Sequence, residues 1–154
     1  MENDVQTRHH AELDDCIVKL LLRADGGDNH DLAAEWNRLE AELARHFELE
    51  EHELFPLFER ENPEEVAALR QEHAALRRDL LALGIRADLQ FLRAEAVRDF
   101  VHELRAHAQR EDEILYRWAA TGLAPGTWAT IAATLNHVVH TVRRAVGDLG
   151  SRAS

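Results

Sequence analysis

Cysteine, proline and glycine are scarce in this chain of 154 residues, and so is positive charge. A single cysteine, Cys16, excludes an internal disulfide. It lies on a helical stripe and reads as a core thiol rather than a redox group. Three prolines and seven glycines leave few places to break a helix. The alternating Val, Ile and Thr runs that strands need are missing. The longest aliphatic run, Ile17 to Leu22, is interrupted by Lys19 and is too short to span a bilayer. The opening Met-Glu-Asn-Asp has neither the basic residues nor the apolar stretch of a signal peptide, so a cytoplasmic protein is expected. Lys and Arg total 18 against 29 acidic residues, a formal charge of −11. Such a surface repels phosphate backbones and anionic lipids, so neither nucleic acid nor membrane is an expected partner.

What is abundant is Ala, Leu, Glu and Arg, the composition of helices. Hydrophobic content of 45% is enough for one real core. The fold class expected is all-α, with no linker dividing the chain. A first helix is predicted from Val5 to Ala24, ending at Asp25-Gly26-Gly27. Its stripe is His10, Leu13, Ile17, Leu20 and Leu21; His9 fits worse, because three residues on from it is Glu12. A second helix starts near Asp31 as N-cap and carries Leu32, Trp36, Leu39, Leu43, His46, Glu50 and Leu54. Pro56 should kink or end it just past Glu50. A third opens with Asn62-Pro63-Glu64-Glu65, a capping pattern, and repeats Val66, Leu69, His73, Leu76, Leu80 and Leu83. Gly84 is the expected stop.

The fourth stripe is Val97, Phe100, Leu104, His107, Glu111 and Ile114 or Leu115, ending near Trp118 to Thr121. In an antiparallel bundle, groups that meet lie at similar distances from a shared turn. His10 and His46 are each about 18 residues from a turn near Asp28, at about 1.5 Å per residue. His73 lies about 11 to 13 residues from the next two turns. For His107 to match, the fourth helix should begin near Arg93, leaving Ile85 to Leu92 as a connection. A fifth helix, about residues 125–148, follows Ala124-Pro125-Gly126-Thr127 with Trp128, Ile131, Leu135, Val138, Val142 and Val146. It could lie along the bundle or bury its stripe in a homodimer.

The histidines on these stripes are out of place. Buried imidazole or carboxylate costs several kcal/mol unless something compensates it. In His46-Phe-Glu-Leu-Glu50 and His107-Ala-Gln-Arg-Glu111 a carboxylate follows an imidazole one turn later on the same face. About one such pair is expected by chance and two are present. Either pair alone is weak evidence, since most are surface hydrogen bonds. Four stripes that each carry a histidine near one layer point to a transition-metal pair. Imidazole and carboxylate without thiolate suit iron, manganese or zinc. His-Glu-x-x-His and Glu-x-x-His are both missing, which excludes a zincin helix and argues against a ferritin-like di-iron bundle. His30, His52 and His102 read as solvated. His137 and His140 stand apart on the fifth helix.

The ordered set His10; His46 to Glu51 continuing to Leu54-Phe55-Pro56; Glu72-His73; and His107 to Glu111 continuing to Leu115-Tyr116 resembles the hemerythrin-like, HHE cation-binding family. The similarity covers about residues 5 to 120, within one domain spanning residues 1–154. It implies an up-down four-helix bundle, about residues 5–121, around two iron ions in a non-haem di-iron centre, with oxo or hydroxo and carboxylate bridges. His10, His46, His73 and His107 would ligate iron, and Glu50 and Glu111 would bridge. Oxygen carriers resembling this chain have a second histidine one turn after the third-helix ligand; here that position is Arg77, either a partner to a site carboxylate or a surface residue. They also place an aspartate five residues after the last histidine. Asp112 stands there, but Glu111 shares the His107 face and is preferred. The resemblance implies a small diatomic partner, oxygen or nitric oxide, or iron itself; peroxide consumption and a metal-free helical module are the alternatives.

Overall fold

The computed structural model describes residues 29–134, and every element among them is helical. The expected first helix, with His9, His10 and Cys16, lies outside the described residues. So does the fifth helix beyond residue 134, with His137 and His140. Helix α1 spans Asn29–Leu49 and passes through a π-helical turn, Glu50–Leu54, into the short α2, Phe55–Phe58. Helix α3 spans Pro63–Asp88. Helix α4 spans Ala94–Glu111 and continues through a second π-helical turn, Asp112–Tyr116, into α5, Arg117–Gly122. Helix α6 covers residues 125–134. No helix among the described residues is long and apolar enough to cross a membrane.

Side-chain pairs give the directions. Trp36 Nε1 donates to Leu80 O at 3.2 Å while Glu51 meets Arg77, so α1 and α3 run antiparallel. His107 meets Glu72 and Arg110 meets Glu65, so α3 and α4 also oppose. Trp36 packs edge-on against Phe100 and Phe47 against His107, so α1 and α4 run together. This is up-down topology. Two apolar clusters fill the interior. One, built on Trp36, Leu43, Leu80 and Phe100, occupies the end where α3 passes to α4. The other, built on Phe55, Leu69, Leu115 and Trp128, occupies the opposite end. Trp128 and Ile131 are buried in it, so the start of the fifth stripe is spent on the chain's own core.

Several expected boundaries hold. Arg93 is the N-cap of α4, where the layer argument places its start. Others need correction. Asp31 lies inside α1 rather than capping it. Asn62 holds the N-cap position of α3 without a side-chain bond, and Glu65 bonds Arg110 at 2.7 Å instead of closing a capping box. Pro56 disturbs the helix from Glu50 on, as expected, but does not end it. Its ring crowds the turn before it and it donates no bond, and the helix absorbs both by widening, Phe55 N–H reaching back to Glu50 O. Gly84 does not stop α3. A Cβ there would stand 3.3 Å from the Trp36 ring, so this glycine admits the indole. The helix ends four residues later, where Gln90 takes φ 60°. Gln90 N–H bonds Ala87 O and Phe91 N–H bonds Arg86 O, a Schellman closure with glutamine where glycine is usual.

Glycine therefore has opposite value at these two positions. Gln90→Gly should stabilise by about 0.5 to 1 kcal/mol, relieving the left-handed residue. Gly84→Val should destabilise by about 2 kcal/mol, forcing the buried indole aside. Urea unfolding of both variants checks this, and the same sign for both would contradict it.

Candidate metal centre

Between the two apolar clusters lies a polar layer: His46, Glu50, His73, His107 and Glu111 are all buried. Each His-x-x-x-Glu pair runs into a π-helical turn: Glu50 is the first residue of one, and Glu111 is the last α-helical residue before the other. Sequence geometry explains the placement. Phe55 is nine residues after His46, and Tyr116 nine after His107. At about 100° per residue that is about two and a half turns, so a straight α-helix would aim ligand and aromatic to opposite sides. The wider turn brings both inward, and Leu54, Phe55, Leu115 and Tyr116 are all buried.

Glu50, His73, His107 and Glu111 each offer an atom that could hold a metal ion, all within 4.8 Å of one another. His46 joins the group through Glu50, Nε2 to Oε1 2.9 Å. His73 Nε2 lies 3.0 Å from Glu111 Oε1 and 3.3 Å from Glu50 Oε2. His107 Nε2 lies 2.7 Å from Glu111 Oε1. Burial would raise the Glu50 carboxyl, but the charges and hydrogen bonds of His46 and His73 outweigh it and hold it well below the usual carboxylate range. Glu111 is also held low, burial and the nearby Glu50 opposing, His107 and His73 prevailing. His73 feels the reverse: burial would depress it, yet the two carboxylates push it up to about 10. His107 is raised by Glu111 against the same burial.

The outward ring nitrogens are also bonded. His73 Nδ1 donates to Glu51 at 2.9 Å, and Arg77 grips that carboxylate with two nitrogens at 2.7 and 3.2 Å. His107 Nδ1 donates to Glu72 at 2.7 Å, and Glu72 is held by Arg110. A carboxylate only accepts, so each Nδ1 keeps its proton and each Nε2 faces the interior. This carboxylate–histidine arrangement orients imidazoles at metal sites. His73 is also clamped between two rings, Phe47 at 4.4 Å and Phe55 at 5.1 Å, both nearly parallel to it. Tyr116 OH donates to Glu50. Burial first, then the nearby Glu50, raise that phenol well above its ordinary value, so it stays protonated.

The donor set fits a cation. It is all oxygen and nitrogen, with two carboxylates side by side. Glu50 Oε2 and His107 Nε2 are buried without a partner in hydrogen-bond geometry, despite their close neighbours. A hydrogen-bonded cluster alone would not leave those atoms unmatched. Glu111, not Asp112, belongs to the group, and Asp112 is half-buried beside it. His52 and His102 are exposed. Arg77 is a carboxylate partner rather than a loose surface group. Sequence reading missed the roles of Glu51, Glu72, Arg110 and Tyr116; the first two stand next to site residues, which was the available signal.

The model of the hemerythrin HHE cation-binding domain matches residues 2–119. The chain belongs to this family. No curated protein and no solved structure matches it. In this hemerythrin-like bundle the buried His and Glu cluster is the part of the fold suited to a cation.

Two outcomes follow. With metal removed, charged His73 contributes stability that is complete below its ordinary 6.5 and is lost as pH rises through about 10. Thermal midpoints of chelated protein should therefore fall between pH 7 and pH 10 on the alkaline side. A ligated imidazole carries no such proton, so loaded protein should not follow, and calorimetry at pH 7 should show proton release on metal uptake. Glu72→Gln should weaken metal binding by about 10- to 100-fold with little change in helix content, measured by competition with a chelator.

Proposed function

We propose that this chain is a non-haem di-iron protein that binds or senses a small diatomic ligand, oxygen or nitric oxide, or iron. His46, His73 and His107, with His10 of the expected first helix, would supply nitrogen donors, and Glu50 and Glu111 would bridge two ions. When bound, the iron pair would supply a redox couple. The observation that carries this reading is the meeting of two carboxylates from different helices with two imidazoles inside one buried 4.8 Å cluster. Mutual repulsion would disfavour that pairing unless positive charge sits between them.

The chain's own groups shape what happens there. Phe47 and Phe55 fix the His73 ring, and Leu54 and Leu115 exclude water from the layer. Tyr116 orients Glu50 and offers a protonated phenol beside it. Arg77 stands where similar oxygen carriers have a further histidine, and its guanidinium is committed to Glu51. A guanidinium offers no lone pair to a metal. That weakens reversible oxygen carriage as the role. It favours a second reading, an oxidoreductase consuming peroxide in oxidative or nitrosative stress.

Elemental analysis of protein purified without a histidine tag should give two iron per chain; none would leave only the metal-free helical module. Reduced protein mixed with oxygen should yield a ferric spectrum that vacuum does not reverse. A stable oxy spectrum lost under vacuum would refute the argument from Arg77. Turnover with peroxide separates the enzyme from the binding protein.

A further inference from the structure

All four exposed large apolar side chains of the described residues fall in one short stretch. Leu81, Ile85, Leu89 and Phe91 are 57, 53, 62 and 74% exposed. Leu81 and Ile85 are one turn apart on the outer face of α3, Leu89 is its C-cap residue one turn further on, and Phe91 follows in the closing turn. A Schellman closure normally covers the apolar residue at that position. A contiguous apolar strip of this kind marks an interaction surface, unlike singly scattered residues.

The strip has a register. Ala74, Arg78, Leu81, Ile85 and Asp88 follow one another at spacings of four, three, four and three, the seam of a paired helix. Arg78 is exposed and takes part in none of the ion pairs described above. Asp88 is exposed and, among the described residues, accepts from the Asn37 amide at 3.4 Å. Its charge is felt by Glu40, whose carboxyl is raised by burial and then by Asp88, so this corner has excess negative charge. Place two copies of α3 antiparallel, with the two-fold axis at the height of Leu83. Leu81 then meets the partner's Ile85, and Arg78 meets the partner's Asp88. Both contacts occur twice. A strip that matches its own reverse in shape and in charge suits a second copy of itself.

We propose that the chain forms a two-fold homodimer through the outer face of α3, with Leu81 and Ile85 as its apolar centre and reciprocal Arg78–Asp88 pairs setting its register. The other occupants are residues 135–154 of the same chain or a different protein. Self-complementary charge favours the second copy, because neither alternative requires it.

Sedimentation equilibrium of the full chain, from micromolar to submillimolar concentration, tests this. Wild type should be a dimer. Ile85→Glu should be a monomer with unchanged circular dichroism. Arg78→Glu and Asp88→Arg should each raise the dissociation constant at least about tenfold. Combined, they should return it to within about threefold of wild type, since the exchanged charges meet again. A monomer at every concentration would overturn the proposal, as when residues 135–154 cover the strip. A dimer indifferent to Ile85→Glu would overturn it too. A double variant no better than either single one would refute the register.

Discussion

Two carboxylates buried in one layer are the constraint that the rest of this bundle answers. Glu50 and Glu111 come from helices that run in the same direction, and each brings its own histidine one turn before it. Left alone, such a pair would repel and resist burial. His73, supplied by the helix that runs the other way, reaches both. Its ring in turn is fixed by flanking phenyl groups and by Glu51. Charge compensation and apolar packing thus call for the same rotation of the three described long helices about their axes. The two apolar clusters fill the space above and below that layer.

The π-helical turns belong to the same logic. A widened turn is less favourable than an α-helical one and survives where tertiary contacts overdetermine it. Here it occurs twice, after corresponding His-x-x-x-Glu segments, and both times it swings a Leu-aromatic pair into the interior. On one side the aromatic is Phe55, which covers the His73 ring; on the other it is Tyr116, which adds a hydroxyl bonded to Glu50. The Tyr116 hydroxyl has no counterpart on Phe55, and it is one of the atoms that make the two halves chemically unequal.

Much of this was legible in residue order because the signals were local. Four-residue spacing puts imidazole and carboxylate on one face whatever the neighbours do, and layer matching located the α4 start at Arg93. What escaped depended on partners distant in sequence. Gly84 reads as a helix stop until the indole of Trp36 is seen against it. Pro56 reads as either a kink or a terminator until the turn before it is seen to widen. Glu65 looks like a capping acid until Arg110 claims it. Arg77 could be read either way, since its meaning rests on Glu51 from another helix. His10 lies outside the described residues, and its place in the layer rests on the residue order alone.

The two arginines that end the carboxylate–histidine chains are not buried. Arg77 and Arg110 are about a third exposed, while the imidazoles they support through Glu51 and Glu72 are almost wholly covered. A dry interior is thereby tethered to the medium at two points, each only two hydrogen bonds deep. Dissolved anions that compete for a guanidinium act on ring orientation at the core without entering it, so ionic strength becomes a variable of the interior and not of the surface alone.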